Sequence, residues 1–116
     1  MTKFVVLSSG SSGNSVFVEH GGSKILVDAG FSGRQIERLL ESVGEKPTDL
    51  DGIFLTHEHA DHSKGAAILA KRFNIPLYAN RGTWKAYLPK TKNLKEDLIK
   101  EFKSDKFLNF KSMDIY

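Results

Sequence analysis

The sequence predicts a single α/β (α+β) domain over residues 1–116, with a mixed, mostly antiparallel sheet flanked by helices. Three observations carry this expectation. Short runs rich in β-branched and aromatic residues, separated by turn signals, fill the first thirty positions. Two stretches of helical periodicity follow, each beside a compact apolar run. A knot of histidines then sits where one apolar run gives way to a helix.

Phe4 to Leu7 is a short apolar run that ends in Ser8-Ser9-Gly10-Ser11-Ser12-Gly13-Asn14-Ser15, after which Val16 to Val18 resumes a strand pattern. Gly21-Gly22 signals a turn, and Lys24 to Asp28 reads as a third strand, giving consecutive antiparallel neighbours. Ser32 offers an N-cap with Gln35 three residues on, the capping-box spacing. Ile36, Leu39, Leu40 and Val43 then recur at helical intervals before Gly44 supplies a stop. Ile53, Phe54 and Leu55 form a strand that delivers the chain to Thr56, and Ala66, Leu69, Ala70 and Phe73 mark the buried stripe of a second helix. Asn74-Ile75-Pro76 breaks that helix, Leu77 to Ala79 is another strand, and Thr83 to Leu88 suits a short helix stopped by Pro89. In the tail, Leu94, Leu98 and Phe102 fit helical spacing, whereas Phe107, Leu108, Phe110 and the stretch from Met113 to Tyr116 resemble strand material. There is no internal repeat and no low-complexity linker.

Composition narrows the function classes. At 116 residues and 40% hydrophobic content the chain can build one core. No apolar run approaches the ~20 residues that span a bilayer, and Met1-Thr2-Lys3 leads straight into a strand, so the chain reads as cytoplasmic with no membrane partner. The absence of cysteine fits a reducing compartment and leaves only His and carboxylate side chains as metal donors. Charge is uneven: Met1 to Asn80 holds eight Lys/Arg against nine Asp/Glu, while Arg81 to Tyr116 holds nine against five. A basic last third suits a polyanion such as nucleic acid, although Lys interleaved with Glu and Asp also describes an ordinary solvated face.

The chemistry concentrates in Thr56-His57-Glu58-His59-Ala60-Asp61-His62. His57 and His59, two apart at a strand end, can point to one side, and Asp61 and His62 come round as the chain turns toward the helix. Two pairs can therefore face two adjacent divalent metals, most naturally zinc, with manganese or iron compatible with the same donors. Paired metals lower the pKa of a shared water toward neutrality and clamp a developing oxyanion, which is what hydrolysis of an ester or phosphodiester requires. A bare His-x-His also occurs in unrelated proteins, but that alternative leaves Asp61-His62 without a role, and such groups are costly to bury unpaired. Glu58, between two ligands, reads as a loop residue. The segment from Ser9 to Asn14 lacks the strand-to-helix setting of a phosphate-cradling loop and reads as a turn bordering the site.

The His-x-His-x-Asp-His pattern, preceded by Leu26-Val27-Asp28-Ala29-Gly30, resembles the metallo-β-lactamase superfamily, which includes lactamases, thioesterases, lactonases and nucleases. More narrowly, Ser8 to Ser15, Leu55 to His59, and Leu77-Tyr78-Ala79-Asn80 with Thr83-Trp84 look like the YycJ/WalJ branch, regarded as DNA-processing exonucleases. The resemblance implies an αββα sandwich. It further implies that His57 and His59 bind a first metal, that Asp61 and His62 bind a second, and that Asp28 supports the loop from behind the ligands. Further ligands that the family draws from later in the chain, two His and a bridging Asp, have no counterpart here, for no histidine follows His62 and His20 lies too early. The expectation is therefore an N-terminal half with an unpaired sheet edge and an open apolar face, prone to self-association or needing a complementary C-terminal half. Two function classes follow: a metal-dependent hydrolase, foremost a DNA nuclease with thioesterase- or lactonase-like chemistry as the alternative, and a non-enzymatic fragment that binds metal weakly.

Overall fold

Alternating apolar residues and a two-glycine turn fold the first part of the chain into a meander: β1 (Thr2–Ser8), β2 (Ser15–His20) and β3 (Ser23–Val27), paired antiparallel in sequence order. The structure, a computed structural model, describes residues 2–8, 13–56, 63–91, 94–102, 108–110 and 113–115. Three further strands, β4 (Gly52–Phe54), β5 (Leu77–Ala79) and β6 (Ile99–Glu101), extend the sheet to six strands in the order β1-β2-β3-β4-β5-β6. All three join it in parallel. The sheet is thus mixed, with two antiparallel and three parallel pairings, because from β3 onward each return to the sheet is a crossover longer than a hairpin. A separate antiparallel pair, β7 (Leu108–Phe110) and β8 (Met113–Ile115), follows.

Helix α1 (Gly33–Ser42) carries the expected capping box, with the Ser32 side chain accepting from the Gln35 backbone and the Gln35 side chain returning to Ser32. Gly44, at φ +78°, takes the left-handed position just past its end. Helix α2 (Ala66–Phe73) ends at Asn74, also left-handed, as the Asn-Ile-Pro sequence predicts. Helix α3 (Arg81–Tyr87) starts two residues earlier than expected because Asn80 caps it, accepting from the Thr83 backbone at 2.8 Å. The α-helix ends at Tyr87, ahead of Pro89 as expected, and the chain tightens into a 3-10 turn over Leu88–Lys90, where a proline near the start lacks no needed donor. The tail follows the strand alternative, since Leu98 closes a 3-10 turn that runs directly into β6.

The register sorts side chains onto two faces. Phe17, Leu26, Ile53, Leu55 and Leu77 face inward, where Ile36 and Leu40 of α1 and Leu69 and Ala70 of α2 complete one cluster. Full burial of each such large side chain contributes about 1.5–3 kcal/mol. The outer face carries Phe4, Val18 and Ile25 in one register row, with Ile25 and Phe54 forming a smaller cluster against Val27, Tyr78 and Phe102. At the end of the sheet away from the histidine loop, buried Glu45 accepts from Lys3 Nζ at 3.2 Å and Lys24 Nζ at 3.0 Å, tying β1 and β3 to the turn after α1. Among the described residues no helix is long and apolar enough to cross a membrane.

Candidate metal centre

Parallel strands β3, β4 and β5 end together, and the loops leaving their carboxyl ends share one edge of the sheet, where ligand sites of such sheets form. Asp28 occupies the first position past β3. Its backbone is left-handed, at φ +62°, which turns the chain sharply and brings the carboxylate to the start of the next loop. The backbone is held on both sides: Asp28 N–H donates to the Phe54 carbonyl at 2.7 Å, and Ser15 Oγ donates to the Asp28 carbonyl at 2.8 Å. Both carboxylate oxygens are engaged by one residue, with Thr56 N–H donating to Oδ1 at 2.8 Å and Thr56 Oγ1 donating to Oδ2 at 2.7 Å. Charge-assisted bonds of this kind are about twice as strong as neutral ones; Asp28 is buried, with 6% of it exposed, while Thr56 lies at the surface.

Thr56 immediately precedes the histidine loop. His57, Glu58, His59, Asp61 and His62 lie outside the described residues, whereas both flanks of the segment are fixed. On the far side Ser63 is buried, and its carbonyl accepts from the Tyr87 hydroxyl at 2.8 Å. The same hydroxyl accepts from Ala67 N–H at 3.2 Å. Burial pushes the Tyr87 phenol above its ordinary pKa, so it stays a proton donor to Ser63 through the physiological range. Gly65 N–H donates to the Ala29 carbonyl at 2.8 Å. A Cβ at Gly65 would collide with the Phe31 carbonyl, so glycine is what allows the entry to α2 to lie against the segment after Asp28.

Of the residues that the sequence singles out, Asp28 is the one whose contacts the structure describes: its carboxylate holds Thr56, the residue before the histidine run. Its two bonds to Thr56 suit it to positioning. Among the described residues no group of three or more His, Asp or Glu is arranged to hold a metal. The donor set between the two anchors, three imidazoles and a carboxylate in a chain without cysteine, fits divalent first-row ions. Sequence reasoning missed Thr56, Ser15 and Tyr87. Thr56 could have been found as a two-donor residue directly before the ligands; Tyr87 gives no local signal, since its partner lies 24 positions away.

A model of the metallo-beta-lactamase superfamily matches residues 9–112. The chain belongs to that superfamily. It is 51% identical over 84 residues to exodeoxyribonuclease WalJ of Streptococcus pneumoniae serotype 2 (strain D39 / NCTC 7466), a match covering 72% of this chain and 31% of that protein. It is 47% identical over 83 residues to exodeoxyribonuclease YycJ of Bacillus anthracis, with the same shares covered. The chain thus spans about a third of the length of these relatives, in their N-terminal part. Among solved structures, a B3 metallo-beta-lactamase with an active site glutamic acid superposes with a TM-score of 0.72 at 18% identity, over 90% of this chain and 45% of that one. The metallo-beta-lactamase fold agrees with the fold class expected from the sequence.

Proposed function

We propose that this chain supplies the metal-binding part of a cytoplasmic, metal-dependent hydrolase that processes DNA from an end. The observation that supports this reading most is the 47–51% identity to two bacterial exodeoxyribonucleases. His57 and His59 hold one divalent ion and Asp61 and His62 a second, zinc foremost, with manganese or iron as substitutes. When bound, such a pair supplies a nucleophilic water at neutral pH and neutralises charge developing on the scissile group. The chain's own contribution is orientation: Asp28 holds Thr56 on one side of the ligands, and Tyr87 holds Ser63 on the other. Residues 1–116 act as one domain, and nucleic acid is the substrate.

The test uses the complete gene product on end-labelled single- and double-stranded DNA, with metal removed and restored. Stepwise shortening that requires metal is expected. Asp28→Asn, which keeps the size but gives Thr56 one acceptor fewer, is expected to lower zinc affinity about 10- to 100-fold by calorimetry with the fold intact by circular dichroism. Cleavage of thioesters or lactones without DNA shortening would move the protein to another branch of the superfamily.

A second reading is supported by the share of the relatives that this chain spans: the 116 residues need a complementary half, or self-associate, before they turn over substrate. With two protein ligands per ion, metal binding by the chain alone is expected to be weak. Stoichiometric binding of two zinc ions together with nuclease turnover by the monomeric chain would sink this reading.

A further inference from the structure

Helix α3 has two unlike faces. Thr83, Trp84 and Tyr87 are buried, and they pin the helix through Trp84 Nε1, which donates to the Lys100 carbonyl at 2.6 Å, and through the Tyr87 hydroxyl on Ser63. The opposite stripe is Arg81, Lys85 and Leu88, spaced i, i+4 and i+7 and all exposed, Leu88 by 42%. Two cations at i, i+4 repel each other, and the helix sequence Arg-Gly-Thr-Trp-Lys-Ala-Tyr contains no acid to relieve them. Among the described residues neither Arg81 nor Lys85 forms an ion pair. Arg81, Gly82, Trp84, Lys85 and Leu88 line an open groove of about 660 Å³.

The position of this groove gives it meaning. Asn80, which caps α3, follows β5 at the same sheet edge as Thr56, and the hydroxyl of Tyr87 fastens the helix to the residue that follows the histidine loop. The helix that carries the cations is thus fastened to Ser63, the residue after the histidine run. An uncompensated cation pair beside an exposed leucine suits a ligand that repeats anionic and apolar groups, as an unpaired nucleic-acid strand does with its phosphates and bases.

We infer that the stripe formed by Arg81 and Lys85 of α3 with Leu88 just beyond its end is the track that holds single-stranded DNA as it enters the metal site. Arg81 and Lys85 take successive phosphates, and Leu88 lies under a base or sugar. This inference rests on the nuclease reading above, and the test separates the two. Binding of a fluorescein-labelled single-stranded oligonucleotide is followed by anisotropy in EDTA, so that catalysis plays no part. Arg81→Gln/Lys85→Gln is compared with wild type and with Arg38→Gln/Lys46→Gln, which removes two exposed cations elsewhere. The α3 double variant is expected to bind on the order of tenfold more weakly at 0.1 M salt, and to flatten the dependence of log affinity on log salt by about 1.4. The matched variant is expected to stay close to wild type. Equal losses in both pairs, or no loss in the α3 pair while wild type binds, would overturn the track and leave the nuclease reading standing. Wild type that binds no DNA in EDTA would also overturn the track, while the nuclease reading is decided separately by metal-dependent shortening of end-labelled DNA.

Discussion

On the inner face of the sheet Phe17, Leu26, Ile53 and Leu77 are fully buried beneath α1 and α2, whereas on the outer face Phe4 and Val6 of β1 keep 70% and 63% of their surface in water. The residue types are alike; the difference is what covers them. Among the described residues the outer face is closed around β4, where Tyr78 stacks on Phe54 at 4.5 Å between ring centroids and Phe102 tilts against it at 6.0 Å. The chain therefore completes one helix-on-sheet layer, and that layer, not the outer face, carries the stability on which the site edge is built.

Three measurements can break or sharpen this contrast. Leu26→Ala, on the inner face of β3 two residues before Asp28, is expected to cost about 2–5 kcal/mol in urea denaturation, because it opens a cavity under both helices. Glu45→Gln comes next, at about 1–2 kcal/mol, discounted from a buried pair because Lys3 and Lys24 remain partly in water. Burial pushes the Glu45 carboxyl up, but Lys24 and Lys3 outweigh it and hold the group below its ordinary value. Its stabilisation is then complete above the unfolded carboxyl value near 4.5 and fades as pH falls through the lower folded value, so Glu45→Gln should shrink the acid limb of a stability–pH curve. The hydrogen bond to Glu45 holds the Lys24 ammonium above its usual value, and that contribution fades only as pH rises through the raised value. Smallest is Phe4→Ser, expected to change stability within about 0.5 kcal/mol. A loss from Phe4→Ser as large as that from Leu26→Ala would mean that the outer face is covered in solution.

Features specified over a few residues were legible in the sequence. Ser32 with Gln35 starts α1 and Gly44 ends it; Gly21-Gly22 sets the β2–β3 turn; Asn74 before Ile75-Pro76 ends α2. The parallel pairings were not legible, because the registers Ile25 to Gly52 and Ile53 to Leu77 join segments far apart in the chain and leave no local pattern. The start of α3 was readable in principle, since Asn80 is a favoured N-cap residue with Thr83 at the bonding distance in sequence. At the site, the carboxylate of Asp28 was identified through a family resemblance, but its partner Thr56 was not, and the Glu45 bonds to Lys3 and Lys24 span 42 and 21 positions.

The backbone of Asp28 sets the terms on which that position can change. A non-glycine residue at φ +62° carries strain of order 1 kcal/mol, which glycine would relieve and a β-branched residue would worsen. Thr56, however, uses both oxygens of the carboxylate that glycine lacks. The fold alone would favour one residue and the loop another, and aspartate, among the few side chains that tolerate the left-handed region, meets both demands, its strain set against the two bonds to Thr56.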